Sequence, residues 1–138
     1  MLDDGHLAIP DATGNRRLDA LTNVIATGRA GLLFLIPGRD QTLRVNGPAR
    51  VTAAPQVLER IAAVGKPPRT AIVVRAEEVY AHCPKAFIRS GLWKPEAWPS
   101  LDDVPTAAEV MAAHHRDPDR SVAEEQAYLE ESVRTRLA

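Results

Sequence analysis

Only one cysteine, Cys83, stands in the 138 residues, so no internal disulfide framework can form. Aromatic residues make up 4% of the chain, which leaves few rings on which a base or sugar could stack. Neither sign of charge dominates: 17 Lys and Arg against 18 Asp and Glu give a net charge of -1. Nucleic-acid binders carry a basic patch or stripe, so no nucleic acid is expected as a partner. No apolar run has the length of a signal peptide or a membrane span, and the expected setting is the cytoplasm with no membrane partner. The 45% hydrophobic content is enough for one buried core, though not for two independent ones.

The periodicities that are present suggest a mixed fold. His6 to Pro10 is a short extended run that enters a turn at Asp11 to Gly14, with Asn15 as a good N-cap. Leu18, Leu21, Val24 and Ile25 then recur at helical spacing until Gly28, which predicts a helix over 16–27. Ala30 to Ile36 is apolar without alternation and reads as a central strand buried on both faces. In Gln41 to Ala53, by contrast, Thr42, Arg44 and Asn46 alternate with Leu43, Val45 and Gly47, so one face of that strand is polar.

Pro55 opens a short helix that should run to Val64 and stop at Gly65. Thr70 to Tyr80 reads as one further strand. His82-Cys83-Pro84-Lys85 then starts a helical segment reaching about Leu92, with Lys85 and Arg89 one turn apart. Trp93 to Pro105 is proline-rich and irregular. Thr106 with Glu109, and Ser121 with Glu124, match the capping-box pattern and predict two C-terminal helices. The second, over 122–137, has a thin apolar stripe of Val122, Tyr128, Leu129 and Val133. These elements describe a mainly β fold with peripheral helices, a core-forming domain over 1–95, and a connection with helices over 96–138.

Arg16 and Arg17 fall at the predicted start of the first helix, where free N–H groups and the dipole favour anions over bases. A phosphate there would put both guanidinium groups, the N–H groups and the dipole to one use. The plainer reading is a solvated helix start whose arginines pair with Asp11, Asp19 or a neighbouring chain. Likewise, Lys85 and Arg89 either meet an anion or form a solvated face. Cys83 has no paired base in the sequence and reads as a small packed residue rather than a nucleophile. His82, Cys83, His114 and His115 match no common zinc spacing, so no metal is expected. Asp102, Asp103, Glu124 and Glu125 read as solvated acids near helix starts.

Four segments in register carry a family resemblance. Leu7-Ala8-Ile9-Pro10-Asp11 with Gly14-Asn15-Arg16-Arg17-Leu18-Asp19, Gly31 to Gly38, Thr42-Leu43-Arg44-Val45-Asn46-Gly47, and His82 to Ala86 with Arg89 to Trp93 together resemble the pyridoxamine 5'-phosphate oxidase-related FMN-binding family. The resemblance runs from Leu7 to Trp93. It implies a split β-barrel, a homodimer, and FMN held at the subunit interface by a flavin-dependent oxidoreductase acting on a small molecule. Asn15, Arg16 and Arg17 match the phosphate-holding segment, and Thr42 and Arg44 lie on the strand lining the flavin. Lys85, Arg89 and Trp93 belong to the motif that closes the site. The flavin carries the electrons, so no catalytic side chain is implied. The chain starts shortly before the family's third barrel strand, which implies a barrel lacking its first strands. Two alternatives remain open: a cofactor-free dimeric remnant or interaction protein of the same fold, and a deazaflavin-dependent reductase.

Overall fold

The computed structural model describes residues 2–12, 17–62, 68–115 and 120–136. Two compact units divide the chain, Met1–Trp98 and Pro99–Ala138. The first is built on antiparallel strands: β1 (His6–Pro10), β2 (Arg29–Leu35), β3 (Thr42–Thr52), β4 (Ala71–Arg75) and β5 (Glu78–His82). Helices α1 (Asp19–Thr27), α2 (Pro55–Arg60) and α3 (Lys85–Ser90) connect or follow them. Strands and helices over the described residues give the α+β class expected from the sequence.

β3 is the hub of the sheet. One edge pairs with β2 from Thr42 to Pro48. The other edge is shared, its first half pairing with β5 and its second half with β4, which in turn pairs with β1. This sharing corrects the single strand expected over 70–80. The chain breaks pairing after Arg75, where Ala76 N–H donates to the Gly5 carbonyl at 2.8 Å and Glu77 N–H to the Asn46 carbonyl at 3.0 Å. Those two lateral bonds let the chain step from one half of β3 to the other. Gly47 makes the step possible, since a Cβ at that position would lie 1.9 Å from the Arg75 carbonyl oxygen.

β2 is also corrected. It lies at the end of the strand order β1-β4-β3-β2 rather than in the centre. Leu33, Phe34 and Leu35 are consequently 47%, 39% and 53% exposed. An unbroken apolar run shows that both faces resist water, but not what covers them.

α1 is shorter than its apolar periodicity suggested. It begins at Asp19, whose carboxylate suits the positive end of a helix, with Leu18 in the capping position and no side-chain cap. Arg17 precedes the helix instead of occupying its first turn. Asn15 and Arg16 themselves lie outside the described residues. Gly28 ends the helix with φ 67°, a left-handed conformation favourable to glycine. α2 starts with Pro55 in its first turn and ends at Ile61, whose N–H bonds the Leu58 carbonyl at 3.2 Å, tightening the last turn before the expected Val64. Val24, Val45, Ala71, Val73 and Val74 form the buried apolar core of this unit.

In the second unit α4 (Ala107–His114) and α5 (Val122–Arg136) both start with the expected capping boxes. Glu109 accepts from the Thr106 backbone N–H at 2.7 Å, and Glu124 from that of Ser121 at 2.7 Å. In each case these bonds, with the neighbouring hydroxyl, hold the carboxyl below its ordinary value; for Glu124 the charge of Arg120 adds to them. Glu125 departs from the solvated role expected of it, being wholly buried. Its Oε1 lies 2.7 Å from Arg120 Nε and 3.2 Å from His115 Nδ1. The inward stripe of α5 is therefore Glu125, Leu129 and Ser132, while Val122, Tyr128 and Val133 are exposed. A buried carboxylate placed between two bases can occupy a position that hydropathy assigns to water.

Candidate functional site

The polar alternation of β3 gives one face of the first unit its character, because paired residues in antiparallel strands share a face. Thr42 sits between Leu35 of β2 and His82 of β5; Arg44 sits between Leu33 and Tyr80, and Asn46 between Gly31 and Glu78. Asn46 Nδ2 donates to Glu78 Oε2 at 3.0 Å and to the Tyr80 hydroxyl at 3.5 Å. Gly31 leaves room for that amide, since a Cβ there would come within 3.0 Å of Asn46 Oδ1. The far side of this row is fixed, and the Thr42 and Arg44 side is less engaged.

Thr42 is only 2% exposed, and its Oγ1 has no hydrogen-bond partner among the described residues. Burying an unpaired hydroxyl costs about 1–3 kcal/mol, so such groups are rare without a reason. Arg44, next on the same face, is half-buried, and its guanidinium has no ion pair or hydrogen bond among the described residues. A ligand that offers oxygen or nitrogen atoms to this face would satisfy both.

A family profile described as pyridoxamine 5'-phosphate oxidase matches residues 1–83. The chain belongs to that family. The match takes in β1 to β5 and therefore the whole Thr42–Arg44 face. A crystal structure of HupZ from Group A Streptococcus is similar at 14% identity and a TM-score of 0.47, over 57% of this chain and 64% of that one. The alignment thus spans less than two thirds of that structure's chain. No curated protein matches.

Within this member of the pyridoxamine 5'-phosphate oxidase family, the other residues singled out from the sequence are more dispersed. Lys85 and Arg89 are exposed, four apart on α3, which follows β5 directly after the His82 that faces Thr42. Trp93 donates its indole N–H to the Arg39 carbonyl at 2.7 Å, fastening the segment after α3 to the turn between β2 and β3. Arg17 lies just before α1, where its Nε is 3.4 Å from Asp19 Oδ2, and both side chains are exposed. The plainer pairing with Asp19 is thus present. Asn15 and Arg16 lie outside the described residues.

Three residues on the face had no site role in the sequence reading: Glu78, Tyr80 and His82. Reading 70–80 as one strand concealed that a new register begins at Glu78 and sets all three beside β3. Cys83 is exposed rather than packed, because it leaves the sheet with the exposed end of β5. Among the described residues no cluster of three His, Cys, Asp or Glu could hold a metal ion, and no helix is long and apolar enough to cross a membrane.

Proposed function

We propose that this protein binds FMN on the Thr42–Arg44 face of β3 and acts as a flavin-dependent oxidoreductase on a small molecule. The observation that carries the reading is the buried, unpartnered hydroxyl of Thr42 beside the uncommitted guanidinium of Arg44. Membership of the pyridoxamine 5'-phosphate oxidase family supports the choice of cofactor. Bound FMN supplies the hydride and electron transfer.

The chain's own residues bind and orient the group. Thr42 Oγ offers one hydrogen bond in a water-poor position, and Arg44 contributes charge-assisted bonds to electron-rich atoms. Asn15, Arg16 and Arg17 hold the phosphate, with Arg17 exchanging its exposed Asp19 partner for the dianion. Lys85 and Arg89 add positive charge from α3, and Trp93 holds the β2–β3 turn in place. A second copy completes the site: the exposed Leu33 and Leu35 of β2 lie on the same face as Arg44 and Thr42, and covering them would exclude water from the flavin.

The test is to incubate the chain with FMN, remove free ligand by gel filtration, and record the visible spectrum and elution volume together. A stoichiometric flavin spectrum on a dimer peak is expected. Thr42→Val keeps the shape of the side chain and removes the hydroxyl. It should weaken FMN binding by about tenfold and stabilise the ligand-free protein by about 1 kcal/mol, because an orphaned polar group has gone. Equal FMN affinity in Thr42→Val, or a colourless dimer, would overturn the proposal.

A further inference from the structure

The polar face of β3 continues past Asn46 to Pro48, Arg50 and Thr52, where the neighbours are β4 and β1 instead of β5. There a groove of about 170 Å³ is lined by His6, Pro48, Ala49, Arg50, Val73 and Arg75. Ligand pockets for whole small molecules usually enclose about 300–1,000 Å³. The space therefore suits one small group and is too small for a flavin ring.

Its walls are basic and its floor is apolar. His6 pairs directly across from Arg75, and Arg50 pairs with Val73, which places Arg50 diagonal to Arg75 on one face. Diagonal neighbours of this kind lie roughly 7–8 Å apart, within reach of long side chains. Arg29, in register with Pro48, adds a third guanidinium to the face. Among the described residues, two acids answer these groups. Glu77 is divided between Arg29 at 2.9 Å and Arg75 at 3.2 Å, and Asp3 lies 2.9 Å from His6. The Arg50 guanidinium has no hydrogen-bond or ion-pair partner among the described residues. Val73 beneath them is buried.

We infer that this groove is a second anion site, separate from the Thr42–Arg44 face, and that it binds a phosphate group. The arrangement favours phosphate over carboxylate because the donors come from different strands and directions. A planar carboxylate is satisfied by the fork of one arginine, whereas four tetrahedral oxygens can take donors from Arg50, Arg75 and His6 together. Arg75 spends one side of its guanidinium on Glu77 and keeps further N–H groups for a ligand.

The experiment is a residue-resolved NMR titration of the full chain with inorganic phosphate at constant ionic strength, with acetate as comparator. Saturable shifts are expected at the amides of Ala49, Arg50, Val73 and Arg75, with acetate binding much more weakly. Arg50→Gln, a change at an exposed position, should weaken phosphate binding by about tenfold and leave the spectrum otherwise folded. Glycerol 3-phosphate distinguishes the source: tighter binding than inorganic phosphate means the phosphate end of a larger molecule, and weaker binding means the free ion. Thr42→Val should leave this titration unchanged, which separates it from the flavin site. Equal responses to acetate and phosphate, or no effect of Arg50→Gln, would overturn the inference.

Discussion

Replacing Gly47 by alanine is expected to damage the first unit more than any other single methyl group added to it. The new Cβ would lie 1.9 Å from the Arg75 carbonyl oxygen, 3.1 Å from its carbon and 3.2 Å from the Glu77 nitrogen. Carbon and oxygen in close contact prefer about 3.3 Å or more, so the carbonyl must retreat by more than an ångström. It is not free to do so. Arg75 ends β4, and the next two amides are committed to Gly5 and Asn46 at 2.8 and 3.0 Å. Overpacking costs about 1–3 kcal/mol, and loss of one or two backbone hydrogen bonds adds about 0.5–1.5 kcal/mol each.

The sum is a destabilisation of about 2–5 kcal/mol. At about 4–8 °C per kcal/mol for a domain of this size, the melting temperature should fall by roughly 8–40 °C. Gly31→Ala is the matched control, since its Cβ meets only the Asn46 side-chain oxygen at 3.0 Å. That amide is held by Glu78 and Tyr80, but an exposed side-chain pair can give by a few tenths of an ångström where a strand carbonyl cannot, and a strand glycine replaced by alanine gains backbone order, so the change should stay within about 1 kcal/mol of neutral. Urea titrations of both variants, followed by circular dichroism, decide the matter. A Gly47→Ala midpoint equal to that of Gly31→Ala would refute the reasoning about how β3 passes the β4–β5 step.

Three other expectations concern side chains whose partners the fold defines. Glu125→Ala should destabilise the α4–α5 unit by about 1–3 kcal/mol, below the roughly 3–5 kcal/mol of a fully buried broken pair, because Arg120 and His115 are each 33% exposed and can rehydrate; faster amide exchange in both helices is the readout, and unchanged exchange would show that the buried carboxylate contributes nothing. Glu109 and Glu124 have carboxyls held below 4.5 by capping bonds to Thr106 and Ser121. Their contribution is therefore complete above the ordinary carboxylate value and disappears as pH falls through the lower folded one. Helicity of α4 and α5 should be flat above about pH 5 and fall below it, and the same curve in Glu109→Gln and Glu124→Gln variants would count against the caps. Trp93→Phe removes the bond to the Arg39 carbonyl and should raise amide exchange in the 37–41 turn while lowering FMN affinity severalfold; preserved protection there would mean that the indole does not hold the turn.

The Thr42 and Arg44 part of the candidate face is legible in the sequence itself. The period-two alternation from Thr42 to Asn46 is a property of a strand's own backbone, and it places Thr42 and Arg44 on one face whatever the neighbours are. What the alternation does not contain is the identity of the facing residues. His82, Tyr80 and Glu78 reach that face only because pairing restarts after Ala76, 30 and more residues along the chain. The burial of the Thr42 hydroxyl likewise depends on surroundings that no local window includes.

The division between sequence and tertiary structure follows the range of the forces involved. Gly28 as a helix stop, Pro55 as a start, the two capping boxes and the polar stripe of β3 were all determined by the sequence itself, since each rests on interactions spanning four residues or fewer. The edge position of β2, the break between β4 and β5, the close passage of Gly47 under the Arg75 carbonyl, and the burial of Glu125 were decided only by tertiary structure. Each depends on a partner brought in from elsewhere in its unit, and a hydrophobic or charged residue does not record in its own neighbourhood which partner that is.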